Sequence, residues 1–347
     1  MTRVVLPASA PPATVHDVAL LDLDGVVYVG PDAVPGAVEA IERAAELGMR
    51  SVYVTNNASR PPRVVAEQLR SLGVPADETD VVTSAQLAAG ILGQRLPAGA
   101  RVLVVGGPGL HEALAAEGLV PVSSMDEQPV AVVQGFGPLV GWRELAECAR
   151  DVRAGLPWVA TNLDLTVPTP HGPAPGNGAL VAAVAEAGGR RPDDVAGKPV
   201  AGAFRDAADR MRSKSPIVVG DRLDTDLEGA RAARITGLLV LTGITGVSEL
   251  LAAAPGVRPD LVGRDLGALL AEHPEAVADD DGTGRCNDAV VAAEDGKVVV
   301  HEAGDDALDL LRAACAAVWD AGTGAPPDPH PVIEAVRGLE PGTAWAR

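Results

Sequence analysis

Asp22 and Asp24, two carboxylates separated by one residue, interrupt the apolar run VALLDLDGVVYVG at residues 18–30. Asp221 and Asp226 follow another apolar run in IVVGDRLDTDLEGA at residues 217–230, just after a glycine that lets the backbone turn. Two like charges at ~4 Å repel by roughly 4 kcal/mol at an effective dielectric near 20. Several such pairs left uncompensated would rival the ~5–15 kcal/mol by which a whole domain is stable. A cation therefore has to sit among these acids, and an oxygen-only donor set suits Mg²⁺. Alternation along an extended strand would also send Asp22 and Asp24 to the same side.

Two further stretches supply groups for an anion. SVYVTNNASR, residues 51–60, ends a second apolar run in Thr55, Asn56 and Asn57, whose hydroxyl and backbone amides can hold phosphate oxygens. Taken alone, this stretch reads as a polar turn or a helix cap. Lys198 lies between Gly197 and Pro199, and the chain has only two other lysines, Lys214 and Lys297. A lysine so scarce and so placed is a candidate partner for a negative charge. Together the four stretches put carboxylates, a hydroxyl, amides and an amine at the ends of candidate strands. In a parallel α/β sheet that is the edge where ligands bind.

The elements that must position these groups follow from the hydrophobic pattern. Short aliphatic runs alternate with Ala-rich helical stretches, the rhythm of βαβ units around a parallel sheet. Gly48 and Gly73 fall where helix C-caps belong. RVLVVGG, GLHEALAAEG, PVAVVQGF, GWRELAECARDVRAG and PWVATN form a second α/β cycle, read as a separate module. From about residue 272 the texture turns acidic and Gly-rich. A hairpin about Asp295-Gly296 and an amphipathic helix carrying Trp319 then follow.

Composition narrows the function classes. With 347 residues, 47% of them hydrophobic, the chain can bury a large core and is long enough for two or more domains. A formal net charge of −19 gives no footprint for nucleic acid or anionic lipid. Cys148, Cys286 and Cys315 lack disulfide or metal-ligand spacing and read as reduced, buried thiols. The apolar stretch at the N-terminus is short and broken by prolines, unlike a secretory leader, and no run reaches membrane-spanning length. The expected location is cytoplasmic, without membrane insertion.

The ordered motifs D-L-D-G, T-N-N, G-K-P and G-D-x-x-x-T-D resemble the haloacid dehalogenase (HAD) superfamily of phosphatases, in its NagD and nitrophenylphosphatase-like branch. The resemblance covers roughly residues 16–270. VTNNASR, VVTSAQ, ATNLDLTVPTPHGPAPGNG and VVGDRLDTDLEGA, with the C-terminal extension, look most like bacterial glycerol 3-phosphate phosphatases. The resemblance implies a Rossmann-like parallel-sheet core at 14–83 and 191–271. It also implies an inserted α/β cap of the C2 type at 84–190 and a small α+β extension, hairpin plus helix, at 272–347. Asp22 would attack phosphorus, and Asp24 would act as general acid and base. Mg²⁺ would be held by Asp22, the Asp24 carbonyl and Asp221, with Asp226 behind them. Thr55 and the Asn56 amide would hold phosphate oxygens, and Lys198 would neutralise charge.

In the loop NLDLTVPTPHGPAPGNG, residues 162–178, Thr166, Val167 and His171 are expected to touch the substrate. Asn162, Asp164 and Gly176 are expected to set the loop's shape. Without an aromatic or basic cluster there, the expected substrate is a small phosphomonoester. The resemblance puts glycerol 3-phosphate first, with phosphoglycolate, p-nitrophenyl phosphate, pyridoxal phosphate and nucleoside monophosphates as the alternatives. A rival from another class, dinucleotide binding at VLVVGGPGLHEAL (102–114), lacks the G-x-G-x-x-G spacing. The extension reads as a structural or interaction module without a complete acyl-CoA site. The oligomeric state is left open, with a homodimer among the options.

Overall fold

The computed structural model describes residues 2–167, 169, 172–294, 296–320 and 328–336. It divides into two compact units, Met1–Val52 with Leu72–Val74 and Ala208–Arg347, and Tyr53–Ser71 with Pro75–Ala207.

The first unit holds four parallel strands in the order Leu261–Gly263, Thr236–Val240, Pro216–Gly220 and Val18–Leu21, with the start of Arg50–Thr55 alongside Val18–Leu21. Their aliphatic side chains are almost all buried, as a parallel sheet covered on both faces requires. Register then sets the site. Leu21 pairs with Val219, and the Asp22 N–H donates to the Val219 carbonyl at 2.9 Å. Asp22 and Asp221 thus leave neighbouring strands at the same carboxyl edge. The helix Ala37–Glu46 buries Ala37, Ala40, Ile41 and Ala44, the i, i+3, i+4, i+7 stripe of an amphipathic helix. Gly48 ends it at φ +97° and Gly73 follows the helix Pro62–Ser71 at φ +88°, so both take the left-handed conformation their C-cap placement called for.

The same unit contains an antiparallel sheet in the order Arg3–Leu6, Ala276–Ala278, Thr283–Cys286, Ala289–Glu294 and Lys297–Glu302. This exceeds the expected hairpin plus helix: four strands come from the extension, and the fifth comes from the other end of the chain. The hairpin itself is present. Glu294 pairs with Lys297 across a two-residue connection in which Gly296 has φ +74°, while Asp295 lies outside the described residues. The helix Ala307–Asp320 is buried on nearly every side, because its neighbours include this sheet and Leu241, Val247, Leu250 and Val262 of the parallel-sheet layer. Trp319 Nε1 donates to the Leu250 carbonyl at 3.2 Å, and the Arg258 guanidinium lies 5.1 Å from the Trp319 ring centroid. Arg312, also buried, donates to the Val262 carbonyl at 2.7 Å and to Asp309 Oδ1 at 2.8 Å.

The second unit holds a five-stranded parallel sheet in the order Asp194–Val195, Trp158–Ala160, Ala131–Gln134, Arg101–Val105 and Val120–Val122. Asp194–Val195 joins this sheet although residue 191 was the expected return to the core. The end of Arg50–Thr55 pairs in parallel with Val81–Thr83. Thr83 then caps the helix Ser84–Gly93 through a reciprocal bond with Gln86. Burial pushes the Cys148 and Cys286 thiols up to about 12 and raises Cys315 as well, so all three are buried and protonated at neutral pH. Among the described residues no helix is long and apolar enough to cross a membrane.

Candidate active site

The first unit gathers the acids. Asp22, Asp221 and Asp226 are buried, and each places a carboxylate oxygen within 4.8 Å of the others. Glycines make this possible. A β-carbon on Gly220 would lie 2.2 Å from Asp226 Cβ, and one on Gly243 would lie 1.9 Å from Asp221 Oδ2. One on Gly25, which has φ +86°, would lie 2.6 Å from the same oxygen. Asp221 Oδ2 accepts from Ile244 N at 2.7 Å, its carbonyl accepts from Thr245 N at 3.1 Å, and Thr242 Oγ1 donates to the Gly25 carbonyl at 2.5 Å. Asp226 sits in a π turn, Leu223–Leu227, and its Oδ2 accepts from Arg222 N at 3.2 Å. Three buried carboxylates on rigid backbone fit a small, hard divalent cation.

Asp24 behaves differently from Asp22. The strand ends at Leu21, and the Leu23 carbonyl accepts from Val26, Val27 and Tyr28 in a tight turn. Strand alternation therefore does not relate the two acids: Asp22 is buried and Asp24 is exposed. The Asp24 carboxylate is not a member of the buried acidic group.

The second unit gathers the other predicted groups. Thr55 is buried, and its Oγ1 accepts from Asn57 N at 3.1 Å, which directs its O–H hydrogen elsewhere. The Asn56 side chain brackets the Lys198 backbone, accepting from Lys198 N at 2.9 Å and donating to the Lys198 carbonyl at 3.1 Å. Lys198 is 3% exposed. A β-carbon on Gly197 would lie 2.3 Å from Asn56 Oδ1, so this glycine lets the two segments approach.

The loop after Ala160 does more than hold a shape. Asn162 Nδ2 donates to the Asn56 carbonyl at 2.7 Å, and Asp164 Oδ2 accepts from Asn56 Nδ2 at 3.0 Å. Ser84 Oγ also donates to the Asn56 carbonyl at 2.7 Å. Sequence reasoning missed these supports for Asn56. Their signal was the polar run Thr161, Asn162 and Asp164 directly after a buried strand. Thr166–Val167 pairs with Ala174–Pro175 in a two-stranded ribbon, with Thr166 exposed. His171 lies outside the described residues.

The dinucleotide reading fails on packing. A β-carbon on Gly107 would lie 2.7 Å from Ser59 Cα, one on Gly109 2.6 Å from the Ala58 carbonyl, and one on Gly106 3.2 Å from the Gly135 carbonyl. The chain's own backbone fills the space those glycines open.

Comparison with known proteins agrees with the geometry. A haloacid dehalogenase-like hydrolase model matches residues 19–120, and a second HAD-hydrolase-like model matches 195–269. D-glycerol 3-phosphate phosphatase of Mycobacterium tuberculosis is 44% identical over 312 residues, spanning 88% of this chain and 86% of its own length. The chain belongs to the haloacid dehalogenase-like hydrolases. Within that family, the crystal structure of a glycerol phosphate phosphatase from Mycobacterium tuberculosis in complex with magnesium superposes with a TM-score of 0.84 at 41% identity. It covers 95% of this chain and 98% of its own. A 4-nitrophenylphosphatase from Thermotoga maritima reaches a TM-score of 0.69 at 32% identity, covering 75% and 98%. Residues 276–338 match a GCN5-related N-acetyltransferase like domain. The protein is thus a HAD-like hydrolase with an added α+β domain.

Proposed function

We propose that this enzyme is a Mg²⁺-dependent phosphomonoesterase that hydrolyses glycerol 3-phosphate through an aspartyl-phosphate on Asp22. The observation that carries the reading is the buried group Asp22, Asp221 and Asp226, which needs a cation, at the carboxyl edge of a parallel sheet. The relatives named above supply the substrate. Asp22, the Asp24 carbonyl and Asp221 are the groups assigned to hold Mg²⁺, with Asp226 behind them. Bound there, Mg²⁺ neutralises charge on the phosphate and the carboxylates.

The residues then divide the reaction. An Asp22 carboxylate oxygen attacks phosphorus in line, and the bond to the glycerol oxygen breaks as Asp24 gives that oxygen its proton. The exposed position of Asp24 suits exchange of protons with water. In the second step Asp24 takes a proton from water, the water oxygen attacks phosphorus, and the Asp22 carboxylate leaves. Thr55, with its O–H directed away from Asn57, and the Asn56 amide bind phosphate oxygens, while Lys198 offsets their charge. Phosphoryl transfer asks mainly for such positioning and neutralisation.

In this reading residues 84–190 serve as a cap on a core of 14–83 and 191–271, and 272–347 is an extension completed by Arg3–Leu6. Thr166, Val167 and His171 are the cap residues assigned to the alcohol. A cytoplasmic location suits three protonated, reduced thiols. Phosphate release from a panel of glycerol 3-phosphate, p-nitrophenyl phosphate, phosphoglycolate, pyridoxal phosphate and nucleoside monophosphates tests the assignment. Glycerol 3-phosphate should have the highest kcat/KM, and chelation should abolish turnover. Equal rates on all of them, or rates indifferent to chelator, would refute it.

A further inference from the structure

We propose that Asp164 is a positioning residue for phosphoryl transfer: its carboxylate aims the Asn56 amide, and that amide sets the backbone of Lys198. The inference rests on the reading that Lys198 serves the phosphate, and it gives the substrate loop a second task.

An Asn side chain offers one carbonyl acceptor and two N–H donors. In Asn56 both donors and the carbonyl oxygen are engaged. Oδ1 accepts from Lys198 N at 2.9 Å, and Nδ2 donates to the Lys198 carbonyl at 3.1 Å and to Asp164 Oδ2 at 3.0 Å. The Lys198 N–H can only donate and the Asp164 carboxylate can only accept, so together they admit one orientation of the amide. Turning it over would set N–H against N–H and carbonyl oxygen against carboxylate. The bond to Asp164 is charge-assisted, the strong class of hydrogen bond. The main chain of Asn56 is fixed as well, because its carbonyl accepts from Ser84 Oγ and Asn162 Nδ2, each at 2.7 Å.

Asp164 is itself held in place. Its N–H donates to Asn162 Oδ1 at 3.1 Å, and its carbonyl accepts from Gly178 N at 2.8 Å. A β-carbon on Gly176 would lie 2.3 Å from that carbonyl oxygen, and one on Gly178 would lie 2.1 Å from the Leu163 carbonyl. The loop therefore lies pinned at the start of the helix Asn177–Gly188. Both backbone polar groups of Lys198 are engaged by one side chain, so moving Asn56 moves the lysine. Thr166 follows Asp164 by two residues, so a displaced loop also loosens the lysine.

Steady-state kinetics on the full chain with Mg²⁺ and glycerol 3-phosphate tests this. Asp164→Ala should lower kcat about 10- to 100-fold, the scale of a small misplacement at a reacting centre, with KM nearly unchanged. Asp164→Asn keeps an acceptor and should recover most of the loss. In an Asn56→Ala background, Asp164→Ala should cost nothing further, since the two act in series. A charge exchange gives a test that does not depend on the alanine variant folding. Asn56→Asp faces two carboxylates toward each other and sets an acid oxygen against the Lys198 carbonyl, so it should be slow, and adding Asp164→Asn should restore part of the rate by returning a donor opposite the new acid. A raised KM with unchanged kcat, multiplying effects in the double alanine variant, or an exchange variant no faster than Asn56→Asp would overturn the proposal. Absence of phosphatase activity in the wild type would count against the functional reading instead.

Discussion

Two turns in this molecule look alike in sequence and differ in what occupies them. In the first unit, Val18–Leu21 leads into Asp22 and Gly25; in the second, Arg101–Val105 leads into Gly106, Gly107 and Gly109. Both follow buried strands of parallel sheets. Gly25, with Gly243, opens space that the Asp221 carboxylate enters. Gly107 and Gly109 open space that backbone from residues 58–60 enters. A glycine at a strand end therefore does not by itself mark a ligand cradle. What fills the missing β-carbon position decides whether the turn binds something or packs.

This difference can be broken experimentally in order of effect. Asp22→Asn should lower kcat by about 10⁴-fold or more, the scale seen when a nucleophile is lost, as read by phosphate release. A residual rate within tenfold of wild type would move the chemistry away from this turn. Gly243→Ala drives a methyl group into the Asp221 carboxylate and should weaken apparent Mg²⁺ affinity by about 10- to 100-fold, measured as activity against Mg²⁺ concentration. Gly109→Ala makes the equivalent change in the packed turn. It should cost about 1–3 kcal/mol of stability through overpacking, seen in denaturant titration, with Mg²⁺ affinity unchanged. If the two variants exchanged phenotypes, the contrast between the turns would be wrong.

The smallest effect belongs to an acid at the opposite end of the strand Val18–Leu21. Burial acts to raise the Asp17 carboxyl, but hydrogen bonds from Lys214 N at 2.8 Å, Ser213 Oγ and Ser215 N at 3.1 Å outweigh it and hold it below the usual range. A carboxyl depressed in the folded state contributes stability above its unfolded pKa, about 4. That contribution is lost as the pH falls further, through the folded value. Asp17→Asn should thus flatten the acid limb of the stability profile and leave the neutral-pH rate of phosphate release unchanged. An unaltered acid limb would show that these donors do not favour the ionised form.

The sequence made the parallel layers readable because their strands are unbroken aliphatic runs and their helices carry caps at Gly48 and Gly73. It marked Asp22, Asp221 and Asp226 because buried like charges demand compensation wherever they sit. Other features depend on pairings that local pattern cannot carry. Arg3–Leu6 is a four-residue, mostly exposed strand whose partner, Ala276–Ala278, lies at the far end of the chain. The strands Ala276–Ala278 and Thr283–Cys286 are short and separated by the acidic, Gly-bearing stretch 279–282, so local pattern does not mark them as strands. Asn56 was chosen for its backbone amide, and its side-chain contacts with Lys198 and Asp164 bridge more than a hundred residues. The turn after Leu21 defeated the alternation argument, because Leu23 collects three backbone donors and ends the strand early.

The central claim is that Asp22 becomes phosphorylated during turnover. Acid quench of the Mg²⁺ enzyme during steady-state hydrolysis of glycerol 3-phosphate, followed by borohydride reduction and peptide mass analysis, tests it directly. Reduction of an acyl phosphate converts aspartate to homoserine, so the account predicts homoserine at position 22 and no other aspartate reduced. Its appearance elsewhere, or unmodified Asp22 in an enzyme turning over fully with a rate-limiting second step, would contradict the account.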